Sequence, residues 1–161
     1  MFENNRPDKK IQQQLLEGMT YELIPLKNVH DQAKFLPQNS TMSVTCSPAK
    51  TIDDTLDLCE SFSADGHITI PHFAARMVES EEHVDSIIDR VHKLGIRKIF
   101  VVGGDADQRG PFYDAPSFLQ ALVARKPDID TIGIGSYPDG HADIPNSSLD
   151  QALFEKQEII L

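Results

Sequence analysis

The stretch of residues 98–105, KIFVVGGD, places the strongest constraint on how this chain can fold. Apolar residues 99–102 run without a polar break and lead into Gly103, Gly104 and Asp105. A short run of this kind that ends in glycines is typical of a strand buried on both faces in a parallel sheet. Parallel α/β folds build their sites at the carboxyl ends of strands, so we expect Asp105 to lie at such a site.

Strand-like and helix-like segments alternate along the rest of the chain. Further strands are predicted at residues 19–25, 41–46, 67–73 and 130–137. Helices are predicted over residues 7–18 and from Thr51, Ser80, Asp114 and Ser147 onward. Residues 29–36 fit a short helix or a turn, and residues 1–5 have the composition of a frayed end. Such alternation predicts an α/β fold with a parallel sheet.

Local capping patterns indicate where the helices begin. Thr51 is followed three residues later by Asp54, and Ser147 by Asp150, which is the spacing of a capping box. Residues 52–62 then carry apolar side chains at helical spacing, as do residues 84–94 after Ser80.

Charge and composition exclude several classes of partner. The chain has 161 residues, 40% of them hydrophobic, and a formal net charge of -10. This charge argues against binding nucleic acid or an anionic membrane surface. No apolar run approaches the roughly 18 residues of a membrane span, and the polar first residues do not resemble a signal peptide. Cys46 and Cys59 are too few for a disulfide scaffold and fit a reducing, cytoplasmic location.

Polar or ionisable side chains fall at the carboxyl end of every predicted strand. In chain order they are Glu22, Thr45, His72, Asp105, Tyr137, Asp139 and His141. Strand ends in a parallel sheet meet at one rim, so we expect a shared pocket there. Taken one at a time, each residue has an ordinary structural interpretation. Glu22 fits a solvent-facing strand residue equally well, Asp105 a loop cap and His141 a turn residue. Metal binding by His72, Asp105 and His141 is an alternative that their spacing does not favour, so no metal is predicted.

Five motifs in order resemble the methylenetetrahydrofolate reductase family over roughly residues 20–157. Residues 21–25 (YELIP) resemble the F-E-x-x-P motif of that family, and residues 43–45 (SVT) match its S-V-T motif. Residues 71–72 match its P-H motif, and residues 103–105 (GGD) resemble its R-G-D motif. Residues 137–141 (YPDGH) resemble its Y-P-E-x-H motif. That family is a (β/α)8 TIM barrel that binds FAD at its carboxyl rim. The resemblance implies a partial barrel of about five βα units at residues 20–161, preceded by an N-terminal extension or helix at residues 1–19.

The resemblance also implies an activity and roles for individual residues. The reaction reduces methylenetetrahydrofolate to methyltetrahydrofolate with NAD(P)H through FAD, in one-carbon metabolism and methionine biosynthesis. Glu22 would be the acid that helps open the folate imidazolidine ring, and Asp105 would contact the pterin and tune the flavin. The implied flavin-site residues are Thr45, His72, Gly103, Gly104, Asp105, Ala115, Tyr137, His141 and Asp150.

The sequence departs from the family pattern at charged positions. Gly103 stands where the family has an arginine, and Asp139 where it has a glutamate. A family lysine falls on Gln157, although Lys156 is adjacent. Arg76 and Lys50 therefore become candidates for binding phosphate or the folate tail.

Chain length leaves further alternatives open. A TIM barrel typically needs about 250 residues, and this sequence ends after the fifth βα unit. We therefore expect either a truncated product or a barrel completed by a partner or a second copy, because open strand edges favour association. A non-catalytic flavin- or folate-binding fragment is one alternative function. Another is an unrelated α/β protein that binds phosphate through backbone N–H groups near Gly103 and Gly104.

Overall fold

The computed structural model describes residues 8–161, which form an α/β fold around one sheet. The five strands lie in sequential order and every neighbouring pair is parallel. The strands are β1 (Thr20–Leu23), β2 (Thr41–Val44), β3 (Ile68–Ala74), β4 (Lys98–Val102) and β5 (Thr131–Ile134). The helices are α1 (Lys9–Glu17), α2 (Val29–Ala33), α3 (Ile52–Ala64), α4 (Glu81–Lys93), α5 (Ala115–Ala124) and α6 (Asn146–Ile160). The predicted fold class is confirmed, and the strand order is that of part of a (β/α)8 barrel.

The main core lies between one face of the sheet and helices α3, α4 and α5. Strand residues on this face are fully buried: Met42, Val44, Phe73, Ile99 and Val101. The predicted apolar face of α3 is confirmed, because Ile52, Thr55, Leu56, Cys59 and Phe62 are all buried. Burying such side chains stabilises the fold by about 1.5–3 kcal/mol for each large one.

The capping patterns give mixed results. Thr51 and Asp54 form a capping box at the start of α3, as predicted. The predicted Ser147–Asp150 box is wrong, because α6 already begins at Asn146, directly after Pro145, and has no side-chain cap. The ring of Pro145 fixes its backbone angle directly before the helix. Ser147 and Asp150 therefore lie inside the first turns of α6 and not at its boundary.

Strand β4 is buried on one face only, which corrects the prediction of burial on both. Ile99 and Val101 are fully buried, whereas Phe100 and Val102 are partly exposed. The reason is that helices cover only one side of the sheet within residues 8–161. The opposite side, which carries Glu22, Ser43, His72 and Phe100, is here called the open face.

The N-terminal helix and the sheet edges lack partners within the described residues. The predicted apolar stripe of α1 is exposed, with Leu15 67% exposed. Strands β1 and β5 each pair with one neighbour in this part of the chain. No helix of residues 8–161 has the length and apolar content to cross a membrane. The expectation for residues 1–5 lies outside the described residues.

Candidate functional site

A cavity of about 830 Å³ lies at the carboxyl ends of β4 and β5. Its walls come from the loops after these strands, the start of α5 and one side of α6. Seven residues that the resemblance assigns to a flavin site line it: Gly103, Gly104, Asp105, Ala115, Tyr137, His141 and Asp150. The volume lies within the range of about 300–1,000 Å³ that is usual for small-molecule and cofactor sites.

The glycine pair after β4 lets the loop pass close to the end of β3. Gly104 has φ +89°, and a Cβ atom on it would lie 2.7 Å from Cβ of Ala74. Only glycine fits this position, since both the backbone angle and the contact exclude a side chain. Gly103 differs, because a Cβ atom on it would have the backbone nitrogen of Ala115 as its nearest neighbour, at 4.0 Å.

The start of α5 is fixed beside this loop by its cap. The Asp114 side chain accepts a hydrogen bond from the backbone N–H of Ser117 at 2.9 Å. The hydroxyl of Ser117 in turn bonds back to the Asp114 backbone, which completes the capping box. Ala115 is therefore held as the first helical residue at the cavity wall.

A tight turn after β5 brings an aromatic pair to the cavity. The backbone N–H of Gly140 donates to the carbonyl of Tyr137 at 3.0 Å, across a Pro-Asp pair that favours turns. The rings of Tyr137 and His141 then meet edge to face, with centroids 5.2 Å apart. Nδ1 of His141 accepts the backbone N–H of Asp143 at 3.1 Å, which orients the ring within this turn.

Two cationic side chains and several carboxylates face the cavity. Lys156 on α6 is only 8% exposed, and its Nζ donates to the carbonyl of Gly135. Burial lowers the pKa of this amine. Arg76, which follows β3, also lines the cavity and donates from Nε to the carbonyl of Tyr113 at 3.1 Å. The walls can thus receive a ligand that carries both anionic groups and hydroxyl groups.

The other predicted site residues lie outside the lining of this cavity. His72 sits on the open face, with Nε2 2.5 Å from Oγ of Ser43 and its ring stacked on Phe100 at 4.7 Å. Burial lowers the pKa of His72, and the charge of Glu22 partly opposes this. Glu22 is exposed beside them, with Ser43 as its partner in the β1–β2 register. These residues form a second polar group, separate from the cavity lining.

Thr45 links the carboxyl ends of two neighbouring strands. Its backbone N–H and its hydroxyl both donate to the carbonyl of Leu23, at 3.0 Å and 3.3 Å. These bonds join the ends of β1 and β2, so the hydroxyl is already engaged within the protein.

Sequence reasoning missed the contact between Ser43 and His72. Both residues belong to motifs that carry the family resemblance, but the resemblance implies no role for Ser43. The period-2 alternation of strands could have placed both side chains on one face, had the register of β2 and β3 been known. Within residues 8–161, no group of three or more histidine, cysteine or acidic side chains is arranged to hold a metal ion.

No family model matches the chain. The site therefore has to be interpreted from its own residues.

Proposed function

We propose that this protein is an oxidoreductase that reduces methylenetetrahydrofolate with NAD(P)H through FAD. The observation that carries the proposal is the cavity after β4 and β5. Its lining gathers seven residues from four separate places in the sequence, all expected at a flavin site from the family resemblance alone. A polar cluster with a carboxylic acid lies on the open face of the same sheet.

The lining residues fit a flavin dinucleotide. Arg76 and Lys156 would hold anionic groups, and the carboxylates of Asp139 and Asp150 would accept hydrogen bonds from sugar hydroxyls. Lys156 supports this fit most directly, because a buried amine with only a carbonyl partner is suited to receive an anion. When bound, the flavin would accept hydride from NAD(P)H and transfer it to the folate substrate.

Glu22 would act as the proton donor to the folate ring. Its carboxyl group is exposed on the open face, where a substrate can reach it. Ser43 holds the neighbouring His72, and Phe100 stacks on its other side, so the position of this imidazole is fixed.

The test is a Glu22→Gln variant in two assays of NAD(P)H oxidation. With methylenetetrahydrofolate as acceptor, activity should be lost. With an artificial electron acceptor, activity should persist, because flavin reduction does not need the acid. Glu158→Gln, an exposed change on α6, serves as the matched control and should alter neither assay. Loss of both activities in Glu22→Gln, or of neither, would count against the role of Glu22.

A second candidate function is flavin or folate binding without turnover. It is favoured by one observation: Glu22 and His72 do not line the cavity that holds most of the predicted flavin residues. Under this alternative the purified protein would bind FAD or folate tightly. It would not oxidise NAD(P)H in the presence of methylenetetrahydrofolate.

We also propose that a second copy or a partner pairs with the open edges of the sheet and completes the barrel, and that the protein works in the cytoplasm. The support is that β1 and β5 each have a single neighbour within residues 8–161, and unpaired edges favour association. Light scattering should therefore report a dimer or larger species. A compact monomer at both low and high protein concentration would refute this.

A further inference from the structure

Among residues 8–161, Arg76 is the one arginine that lines the cavity, and its charge is not used by the fold. Arg90, Arg97 and Arg125 each contact carboxylates. No such partner lies within 4.0 Å of Arg76 in the same part of the chain. Its Nε atom donates to the Tyr113 carbonyl, which orients the guanidinium group. Both Nη atoms remain available at the cavity wall.

The backbone holds Arg76 directly beside Gly103. Its N–H donates to the carbonyl of Gly103 at 3.1 Å, and its own carbonyl accepts the N–H of Arg109 at 2.8 Å. The backbone of Arg76 therefore lies beside that of Gly103, and both residues line the cavity.

Gly103 is not required by the local backbone. A Cβ atom there would have no neighbour nearer than 4.0 Å, and its φ is not in the left-handed region, unlike that of Gly104. A side chain at position 103 would fit, yet the chain has none. The positive charge at this wall comes instead from Arg76, in the turn that follows the neighbouring strand β3.

The other lining residues indicate which kind of ligand would carry an anionic group into this cavity. Lys156, more than nine-tenths buried and without a carboxylate partner in the described residues, supplies a second cation. Asp139 and Asp150 add acceptors for hydroxyl groups. A ligand with phosphate groups and a sugar matches this combination better than a simple carboxylate does.

We propose that Arg76 binds a phosphate group of a nucleotide ligand in this cavity. It thereby supplies the positive charge that a glycine at position 103 cannot provide. The inference deepens the proposed function and rests on its cavity, but it does not depend on folate reduction. A guanidinium held at its Nε can still form two parallel bonds to phosphate oxygens through its Nη atoms.

The experiment measures the dissociation constants of ADP, FAD and riboflavin by calorimetry. For Arg76→Ala, binding of ADP and FAD should weaken about 10- to 100-fold, the usual effect of losing a charge-assisted bond. Riboflavin, which has no phosphate, should bind unchanged. Lys98→Ala removes an equal charge at the amino end of β4 and should leave all three ligands unaffected.

A charge relocation makes the test specific. Gly103→Arg combined with Arg76→Ala should recover most of the lost ADP affinity, because the new side chain enters at the same wall. Arg76→Lys keeps the positive charge but not the forked guanidinium group, so it should retain part of the ADP affinity. If the double variant does not fold, the ADP affinity of Arg76→Lys still shows whether the charge at position 76 binds the ligand or the residue has only a structural role.

The outcomes separate this inference from the proposed function. If FAD binds but Arg76→Ala leaves its affinity unchanged, or if riboflavin is weakened equally, the inference is overturned and the proposed function remains. If ADP binds through Arg76 but neither FAD nor folate binds, the inference stands and the proposed function fails. If neither ADP nor FAD binds, both are overturned.

Discussion

Replacing Lys156 by methionine tests whether the protein keeps a buried cation at the expense of its own stability. The residue is 8% exposed, and its amine has one hydrogen-bond partner, the carbonyl of Gly135. Burial lowers the pKa of this amine, which means that the folded state disfavours its charged form. Methionine has a similar length and no charge, so Lys156→Met removes the desolvation cost and keeps most of the packing.

The expected gain follows from opposing contributions. Burial of an ammonium group costs several kcal/mol, and one hydrogen bond from a charged donor recovers about 1.5–3 kcal/mol. Water in the cavity reduces the remaining cost and can hydrate the Gly135 carbonyl, so we expect Lys156→Met to raise the free energy of unfolding by about 1 kcal/mol. In a domain of this size, that corresponds to a rise in Tm of about 2–4 °C.

The pH dependence adds an internal check. Because the pKa of Lys156 is lowered on folding, the unfolded chain binds this proton more readily. Wild-type stability should therefore rise with pH between the folded pKa and the unfolded value of 10.5, and the advantage of Lys156→Met should shrink over that window.

Urea unfolding followed by circular dichroism measures both effects. Lys98→Met, at an exposed site on β4, is the control and should change stability by less than about 0.5 kcal/mol. A loss of more than about 1 kcal/mol in Lys156→Met would show that the amine stabilises the fold, which refutes the reasoning. A gain in stability together with weaker FAD binding would support a ligand-directed role.

Three further predictions concern the fold around the site. Thr51→Ala should lower the free energy of unfolding by about 1 kcal/mol in urea titrations, because it removes one side of a capping box. Gly104→Ala should cost more than Gly95→Ala in the same assay, since a Cβ atom added at Gly104 would lie 2.7 Å from Cβ of Ala74, whereas one added at Gly95, at φ +64°, would meet no atom within 4 Å. Wild-type stability should fall as the pH drops below about 6.5, because burial lowers the pKa of His72 and the unfolded chain then binds the proton more readily. His72→Asn should reduce this fall, and an identical pH profile for the variant would contradict it.

Local signals in the sequence predicted most of the fold. The capping pair of Thr51 and Asp54, the stop at Gly95 and the cap at Asp114 each depend on residues a few positions apart. The predicted alternation of strands and helices produced the observed parallel order. Such short-range rules fail only where a stronger neighbour competes, as Pro145 does ahead of Ser147.

Features that depend on distant parts of the chain could not be predicted in the same way. The run at residues 99–102 indicates a buried strand, but its exposed side depends on which helices cover the sheet. The contact between Ser43 and His72 depends on strand register, which no local pattern specifies. Motif resemblance placed Tyr137 and His141 in one site, and the cavity brings them together. It placed His72 in that site as well, whereas the structure puts this residue on the open face.

The most direct test of the central claim is a titration of the 15N-labelled protein with FAD, followed by two-dimensional NMR. The account predicts saturable binding of one FAD per chain. Chemical shifts should change at Gly103, Gly104 and Asp105 and in the turn from Tyr137 to His141, with little change on the outer surface of α3. An absence of shift changes at any soluble FAD concentration, or changes confined to residues away from the cavity, would contradict the account.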